Sequence, residues 1–226
     1  MASPASTTDL RDDYLAALVA GDAIRARHLV DLAVDVGTPL PTIYLEVLQP
    51  ALEAVGVSWE GGEINVAYEH RATAITQGIL GALGPRMRVA PTSGRLAVVA
   101  CTEGELHALG AQMLGDFLEG AGWEVLQLGA SVPADALAEL VADESPDAVG
   151  LSSATVDMLP GIRAALAALS ALEPRPFIAV GGRAWRTLPA QQALELGADV
   201  CLPGPRELAR ELTERFPPLP PDREPS

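Results

Sequence analysis

Aromatic side chains make up only 4% of this 226-residue chain, three each of Trp, Tyr and Phe, so Ala, Leu and Val must fill its core. Basic residues are also few: 15 Lys and Arg against 30 Asp and Glu leave a formal net charge of −15. Such a surface repels phosphate backbones and anionic lipid, which argues against nucleic acid or a membrane as direct partners. No apolar run is long enough to span a bilayer. Met1 to Thr8 lack the basic-then-apolar profile of a secretory signal, so a cytoplasmic protein is expected. The only two cysteines, Cys101 and Cys201, have no metal-ligand spacing and read as buried thiols in a reducing compartment. No Ser-His-Asp pattern, P-loop or H-E-x-x-H string points to catalysis, so no enzyme activity is expected.

What is present divides into two patterns. Residues 9–85 carry apolar side chains at helical spacing, among them Leu10, Tyr14, Leu18, Leu29, Leu32, Val47 and Leu52. Gly21-Asp22 supplies a stop and a new N-cap, Gly37 a second stop, and Gly61-Gly62 a turn. Four helices with short connections imply a four-helix bundle, with Pro50 bending the third. Residues 86–94, with Pro91, form the expected linker. Over 95–216 short apolar runs alternate with helices, at Leu96–Ala100, Glu124–Leu128, Ala148–Leu151, Phe177–Val180 and Asp199–Leu202. This pattern predicts an α/β domain, a flavodoxin-like (Rossmann-like) doubly wound five-stranded parallel sheet. The Pro-rich end, 217–226, is expected to be disordered.

Three loops at carboxyl ends of the expected strands carry small or ligand-like residues. The first reads Glu105-Leu106-His107-Ala108-Leu109-Gly110; after 41 intervening residues comes Ser152-Ser153-Ala154, and after 26 more Gly181-Gly182. In open α/β sheets such loops border the ligand crevice. A metal-bound imidazole needs a bare coordinating nitrogen and an acceptor for its other N–H, and Glu105 stands where it could provide one. The three-part spacing resembles the cobalamin-binding domain of methionine synthase and the corrinoid mutases. That resemblance implies His107 as the lower ligand of cobalt. It also implies that Gly110 leaves room for backbone and helix to approach a large ring, and that Ser152, Ser153, Ala154, Gly181 and Gly182 keep open a slot for the displaced nucleotide base. The family usually has Asp where this chain has Glu105, and Leu where it has Ala154.

The helical half adds Trp59, then nine residues, then Glu69-His70. This looks like the light-sensing adenosylcobalamin repressors of bacterial carotenoid genes, and the likeness spans roughly residues 10–215. It implies that Trp59, Glu69 and His70 surround the upper axial adenosyl group, between cap and cofactor domain. Those repressors carry an N-terminal DNA-binding domain, whereas only about eight residues precede the bundle here. Their light-state histidine directly follows the Trp, where this chain has Glu60. The layout resembles the stand-alone photocobilins, which extends the expectation to a non-covalent bilin such as biliverdin; no bilin-linking cysteine lies in the bundle.

The function so implied is a cobalamin-dependent photoreceptor that signals to a protein output partner, with self-association as a homo-oligomer left open. The competing class is a corrinoid methyl-carrier protein of a methyltransferase system, which pairs a similar bundle with the same domain. A carrier must open its upper face to enzymes, and a bulky Trp beside a Glu argues against that. A cobalamin-binding accessory subunit of a radical mutase is the third class.

Overall fold

In the computed structural model, residues 6–88 and 90–220 are described. The chain divides into two compact units at Pro85.

The first unit is helical. α1 (Thr7–Ala20) starts in a capping box: Ser6 Oγ accepts from the Asp9 N–H at 3.1 Å, and Asp9 Oδ2 accepts from the Ser6 N–H at 3.3 Å. It stops at Gly21, whose φ of +72° suits glycine, and whose missing Cβ makes room for the Arg71 guanidinium. Asp22 then caps α2 (Ala23–Asp35), its carboxylate accepting from the Arg25 N–H at 2.9 Å. The third rod comprises α3 (Leu40–Thr42), a π-helical turn (Ile43–Leu48) and α4 (Gln49–Glu60). Just before Pro50 the helix widens into this π-turn, in which the Gln49 N–H reaches back to the Tyr44 carbonyl. α5 (Val66–Met87) runs two residues into the stretch expected as linker and carries Pro85 inside it.

The bundle core includes Tyr14, Leu18, Ile43, Leu48 and Leu80, all buried. Tyr14 and Thr76 are hydrogen-bonded within it: Thr76 Oγ1 donates to the Ala72 carbonyl, so the Tyr14 hydroxyl, 2.9 Å away, donates to Thr76. Burial pushes the Tyr14 phenol up from 10.0 to about 12, against a smaller lowering by the Thr76 contact.

The second unit is the expected α/β domain. Strands β1 (Leu96–Thr102), β2 (Glu124–Val132), β3 (Ala148–Ser152), β4 (Phe177–Gly181) and β5 (Val200–Cys201) form one parallel sheet in the order β2-β1-β3-β4-β5. That is the flavodoxin-like order, and its switch point lies between β1 and β3. β2 runs past its expected end because a bulge after Gln127 lets it continue through Gly129, at φ +76°, to Val132. α6 (Leu109–Gly120) and α10 (Pro205–Arg215) cover one face, α7 (Ala134–Glu144) and α8 (Leu159–Ser170) the other, and α9 (Ala190–Glu195) leads to β5. Val98, Val149 and Ile178 meet Leu137, Ile162 and Leu166 in the core. On the other face Gly150 lets α6 approach, since a Cβ there would lie 2.8 Å from Leu114 Cδ2.

The Pro-rich end begins ordered. The Arg95 guanidinium donates to the Pro217 carbonyl at 3.0 Å, and the Leu219 N–H donates to Ser93 O at 2.8 Å. Phe216 makes edge contacts with Trp123 and Phe177 and lies beneath Arg95. These contacts hold residues that composition alone marks as loose; the remainder of that expectation, 221–226, lies outside the described residues.

Candidate functional site

β1 ends at Thr102, and the chain turns through Gly104 at φ +86°. The turn is tied to the end of β2: Ser131 Oγ accepts from the Gly104 N–H at 3.1 Å, and the Ser131 N–H donates to the Glu105 carbonyl at 2.9 Å. Glu105 is 1% exposed. Its Oε1 accepts from the His107 backbone N–H at 2.9 Å and lies 2.6 Å from the ring Nδ1. Its Oε2 accepts from the Ala154 backbone N–H at 2.7 Å. The extra methylene relative to Asp is therefore used: one carboxylate joins the loops after β1 and β3.

Burial alone would raise the Glu105 carboxyl. Hydrogen bonds from the His107 ring and backbone, and from the Ala154 N–H, outweigh it and hold the group below the usual carboxylate range. An ionised Glu105 fixes the proton on His107 Nδ1, which puts the imidazole lone pair on Nε2 of a half-exposed side chain. Cys101 lies beneath, with its thiol pushed up to about 12 by burial first and the charge of Glu105 second.

The other two loops of the motif lie on the adjacent strands. The Ser153 N–H donates to the Gly181 carbonyl at 3.0 Å, and the Ala184 N–H to the Ser153 carbonyl at 3.2 Å. At Gly182, φ +108°, a Cβ would sit 2.2 Å from Ser153 O; at Gly181 it would sit 2.7 Å from Leu202 O. At Gly110 it would sit 3.2 Å from Ser152 Oγ. Gly181 and Gly182 thus allow backbones to approach, a demand apart from the open slot expected of them. Gly110 leaves clearance over the end of β3.

On the bundle, Trp59 occupies the last turn of α4 and is 40% exposed. After Gly62, at φ +75°, Asn65 Oδ1 accepts from the Ala67 N–H at 2.9 Å and opens α5. Glu69 follows in the first turn. Its Oε2 lies 2.6 Å from His70 Nδ1, and its Oε1 accepts from Thr73 Oγ1 at 2.8 Å. The Glu69 side chain is 15% exposed, that of His70 73%. Trp59 and Glu69 therefore flank one connection, residues 61–65. Thr73 belongs to none of the motifs, and its i+4 spacing from Glu69 is the one signal of its role in the sequence.

Among the described residues, no three His, Cys, Asp or Glu side chains converge to hold a metal ion. A single carboxylate-held imidazole suits a metal whose remaining positions are filled by a prebuilt ring. No described helix is long and apolar enough to cross a membrane.

The order of the strands, the switch-point loops and the held imidazole define a cofactor-binding α/β domain, joined in one chain to a helical unit. Residues 95–213 match the B12 binding domain family, and residues 10–83 match a second B12 binding domain family. The chain belongs to the B12-binding family.

Among its relatives is the HTH-type transcriptional repressor CarH of Myxococcus xanthus, 34% identical over 179 residues, 78% of this chain and 58% of that protein. The repressor CarA of the same organism is 37% identical over 105 residues, 46% of this chain and 34% of CarA. The chain thus spans less than two thirds of either repressor. Dimethylamine corrinoid protein 3 of Methanosarcina mazei is 30% identical over 155 residues, 66% of this chain and 89% of that protein. The monomethylamine corrinoid protein of Methanosarcina barkeri superposes with a TM-score of 0.80 at 19% identity, covering 93% of this chain and all of that one, and so shares the fold.

Proposed function

We propose that this protein is a light sensor that binds adenosylcobalamin and signals through a partner protein, without enzyme activity of its own. The observation that carries the reading is the pair Trp59 and Glu69 at one connection of the bundle, with the Glu69 carboxylate held from both sides. In this reading His107 is the lower cobalt ligand and Glu105 orients it. The loops at Gly110, Ser152–Ala154 and Gly181–Gly182 border the nucleotide slot. Trp59 gives apolar contact to the adenosyl group and Glu69 accepts hydrogen bonds from it.

Adenosylcobalamin, when bound, supplies a cobalt–carbon bond that visible light cleaves. Once the adenosyl group has gone, Trp59 loses its apolar contact, at about 25 cal/mol for each Å² re-exposed. Glu69 loses the adenosyl donors at the same time. Both losses bias the bundle toward a second arrangement, as a ligand-biased two-state element does. A net charge of −15 directs the output toward protein rather than DNA.

The methyl-carrier reading has one observation in its favour, that the chain covers 89% of a dimethylamine corrinoid protein. Absorbance and size-exclusion chromatography of the adenosylcobalamin-loaded protein, in darkness and after green light, separate the two. A light-driven change in spectrum and hydrodynamic size is expected. If neither changes, the sensor reading fails and the carrier reading replaces it. Repeating the series with added biliverdin tests for a second chromophore, whose binding would give a new long-wavelength band.

A further inference from the structure

We propose that Thr73 is a positioning residue that sets the orientation of the Glu69 carboxylate and, through it, the preference for adenosylcobalamin over cobalamins without the adenosyl group; this rests on the reading of Glu69 given above. A glutamate one turn into a helix ordinarily extends into solvent, where its three side-chain torsions are free. Glu69 does not. Its carboxylate is mostly buried and is engaged at both oxygens, by His70 Nδ1 at 2.6 Å and by Thr73 Oγ1 at 2.8 Å. The two contacts differ in what they rest on. His70 is 73% exposed and follows Glu69 directly, so water competes for its ring. Thr73 is half-buried, one helical turn on, and β-branched, so few rotamers are open to it. The fixed end of the array is therefore Thr73.

Arg71, the basic residue nearest in sequence, is committed elsewhere. Its Nη2 donates to Val19 O at 2.9 Å, and its guanidinium carbon lies 5.0 Å from the centre of the Tyr68 ring. Between them Thr73 and His70 occupy one lone pair on each Glu69 oxygen. An ionised carboxylate has about four, so acceptor capacity remains in a fixed direction. A preset acceptor favours a ligand whose hydroxyl donors match it and gives nothing to one that lacks them.

The test is a pair of dissociation constants, for adenosylcobalamin and hydroxocobalamin, measured in darkness on the full chain. The variants are Thr73→Val, Thr73→Ser and Glu69→Gln, with Thr73→Ala standing in if Thr73→Val does not fold. Thr73→Val is expected to weaken adenosylcobalamin by about tenfold while changing hydroxocobalamin by less than about twofold, with Thr73→Ser close to wild type. If Thr73→Val weakens both cobalamins equally, the role is structural and the inference is overturned. If Thr73→Val leaves the ratio unchanged while Glu69→Gln lowers it, Glu69 keeps its role and Thr73 loses its own. If Glu69→Gln also leaves the ratio unchanged, the adenosyl reading of Glu69 falls and takes the inference with it.

Discussion

Glu105 grips His107 twice through one oxygen, at 2.6 Å to the ring Nδ1 and 2.9 Å to the backbone N–H, while its other oxygen takes the Ala154 N–H at 2.7 Å. The carboxylate thereby fixes the imidazole tautomer and spans the switch point between β1 and β3. Removing it should cost the His107 site its orientation without removing the ligand atom. Glu105→Ala is expected to lower cobalamin affinity about 10- to 100-fold, the usual range for a partner behind a metal-bound histidine. Glu105→Asp should keep the ring contact, lose the reach to Ala154, and destabilise the cofactor-free protein by about 1 kcal/mol. Absorbance titration and thermal unfolding check the two effects separately. Equal stability of Glu105→Asp and wild type would mean that the Ala154 contact contributes nothing.

The glycines of the motif should separate into two kinds. Gly182→Ala places a Cβ 2.2 Å from Ser153 O at a φ of +108°, so it is expected to destabilise the fold by about 1–3 kcal/mol with or without ligand. Gly110→Ala meets only Ser152 Oγ, at 3.2 Å, and lies in the first turn of α6. There Ala gains up to about 1 kcal/mol over Gly in helix propensity. The variant should therefore unfold within about 1 kcal/mol of wild type, and a larger fall in cobalamin affinity reports lost clearance for the ligand. Unfolding midpoints and binding isotherms of the two variants, compared side by side, decide the matter.

Alkaline stability should depend on Tyr14. Its phenol is pushed up from 10.0 to about 12 by burial in the bundle. Below pH 10 the group is protonated folded or unfolded, so its full contribution is present. As pH rises from 10 toward 12 the unfolded chain releases the proton and the native one does not. Stability then falls by about 1.4 kcal/mol per pH unit for this group. Tyr14→Phe should be about 1 kcal/mol less stable at neutral pH, through loss of the Thr76 hydrogen bond, yet show a flatter profile above pH 10. Parallel profiles for the two proteins above pH 10 would contradict this account.

Much of the α/β unit is legible in the chain because a parallel sheet buried on both faces leaves plain apolar runs. Ala148–Leu151 and Phe177–Val180 each extend by a single residue in the structure. The spacing of the motif is legible for the same reason, since Ser152 and Gly181 are the last residues of β3 and β4 and His107 lies in the loop after β1. What escapes is backbone chemistry. Ala154 draws notice for its small side chain, yet its N–H makes the contact with Glu105, and every residue but proline has one. Pro50 suggests a bend, but it does not announce the π-turn that precedes it, closed by the Gln49 N–H to Tyr44 O bond. The start of the Pro-rich end reads as loose because its anchors, Ser93 and Arg95, lie more than a hundred residues away in sequence.

The three histidines give the last and sharpest comparison. His107 and His70 each lie with Nδ1 2.6 Å from a glutamate oxygen, an arrangement that in a neutral ring leaves Nε2 to bind a metal. His28 is an exposed residue on α2. If His107 is the lower ligand, His107→Ala should abolish the histidine-ligated spectrum and weaken every form of cobalamin. His28→Ala should change nothing. His70→Ala removes one of the two contacts on Glu69 and should lower affinity for adenosylcobalamin alone, by less than Thr73→Val does. After illumination the same variant discriminates between upper ligands, because Glu60 stands where the light-sensing repressors have their histidine. A spectrum shared by illuminated wild type and His70→Ala means that water occupies the upper face. A histidine-type spectrum lost only in His70→Ala means that the imidazole held by Glu69 has moved onto the metal. An unaltered spectrum in His107→Ala would remove the foundation of the site, whatever His70 does.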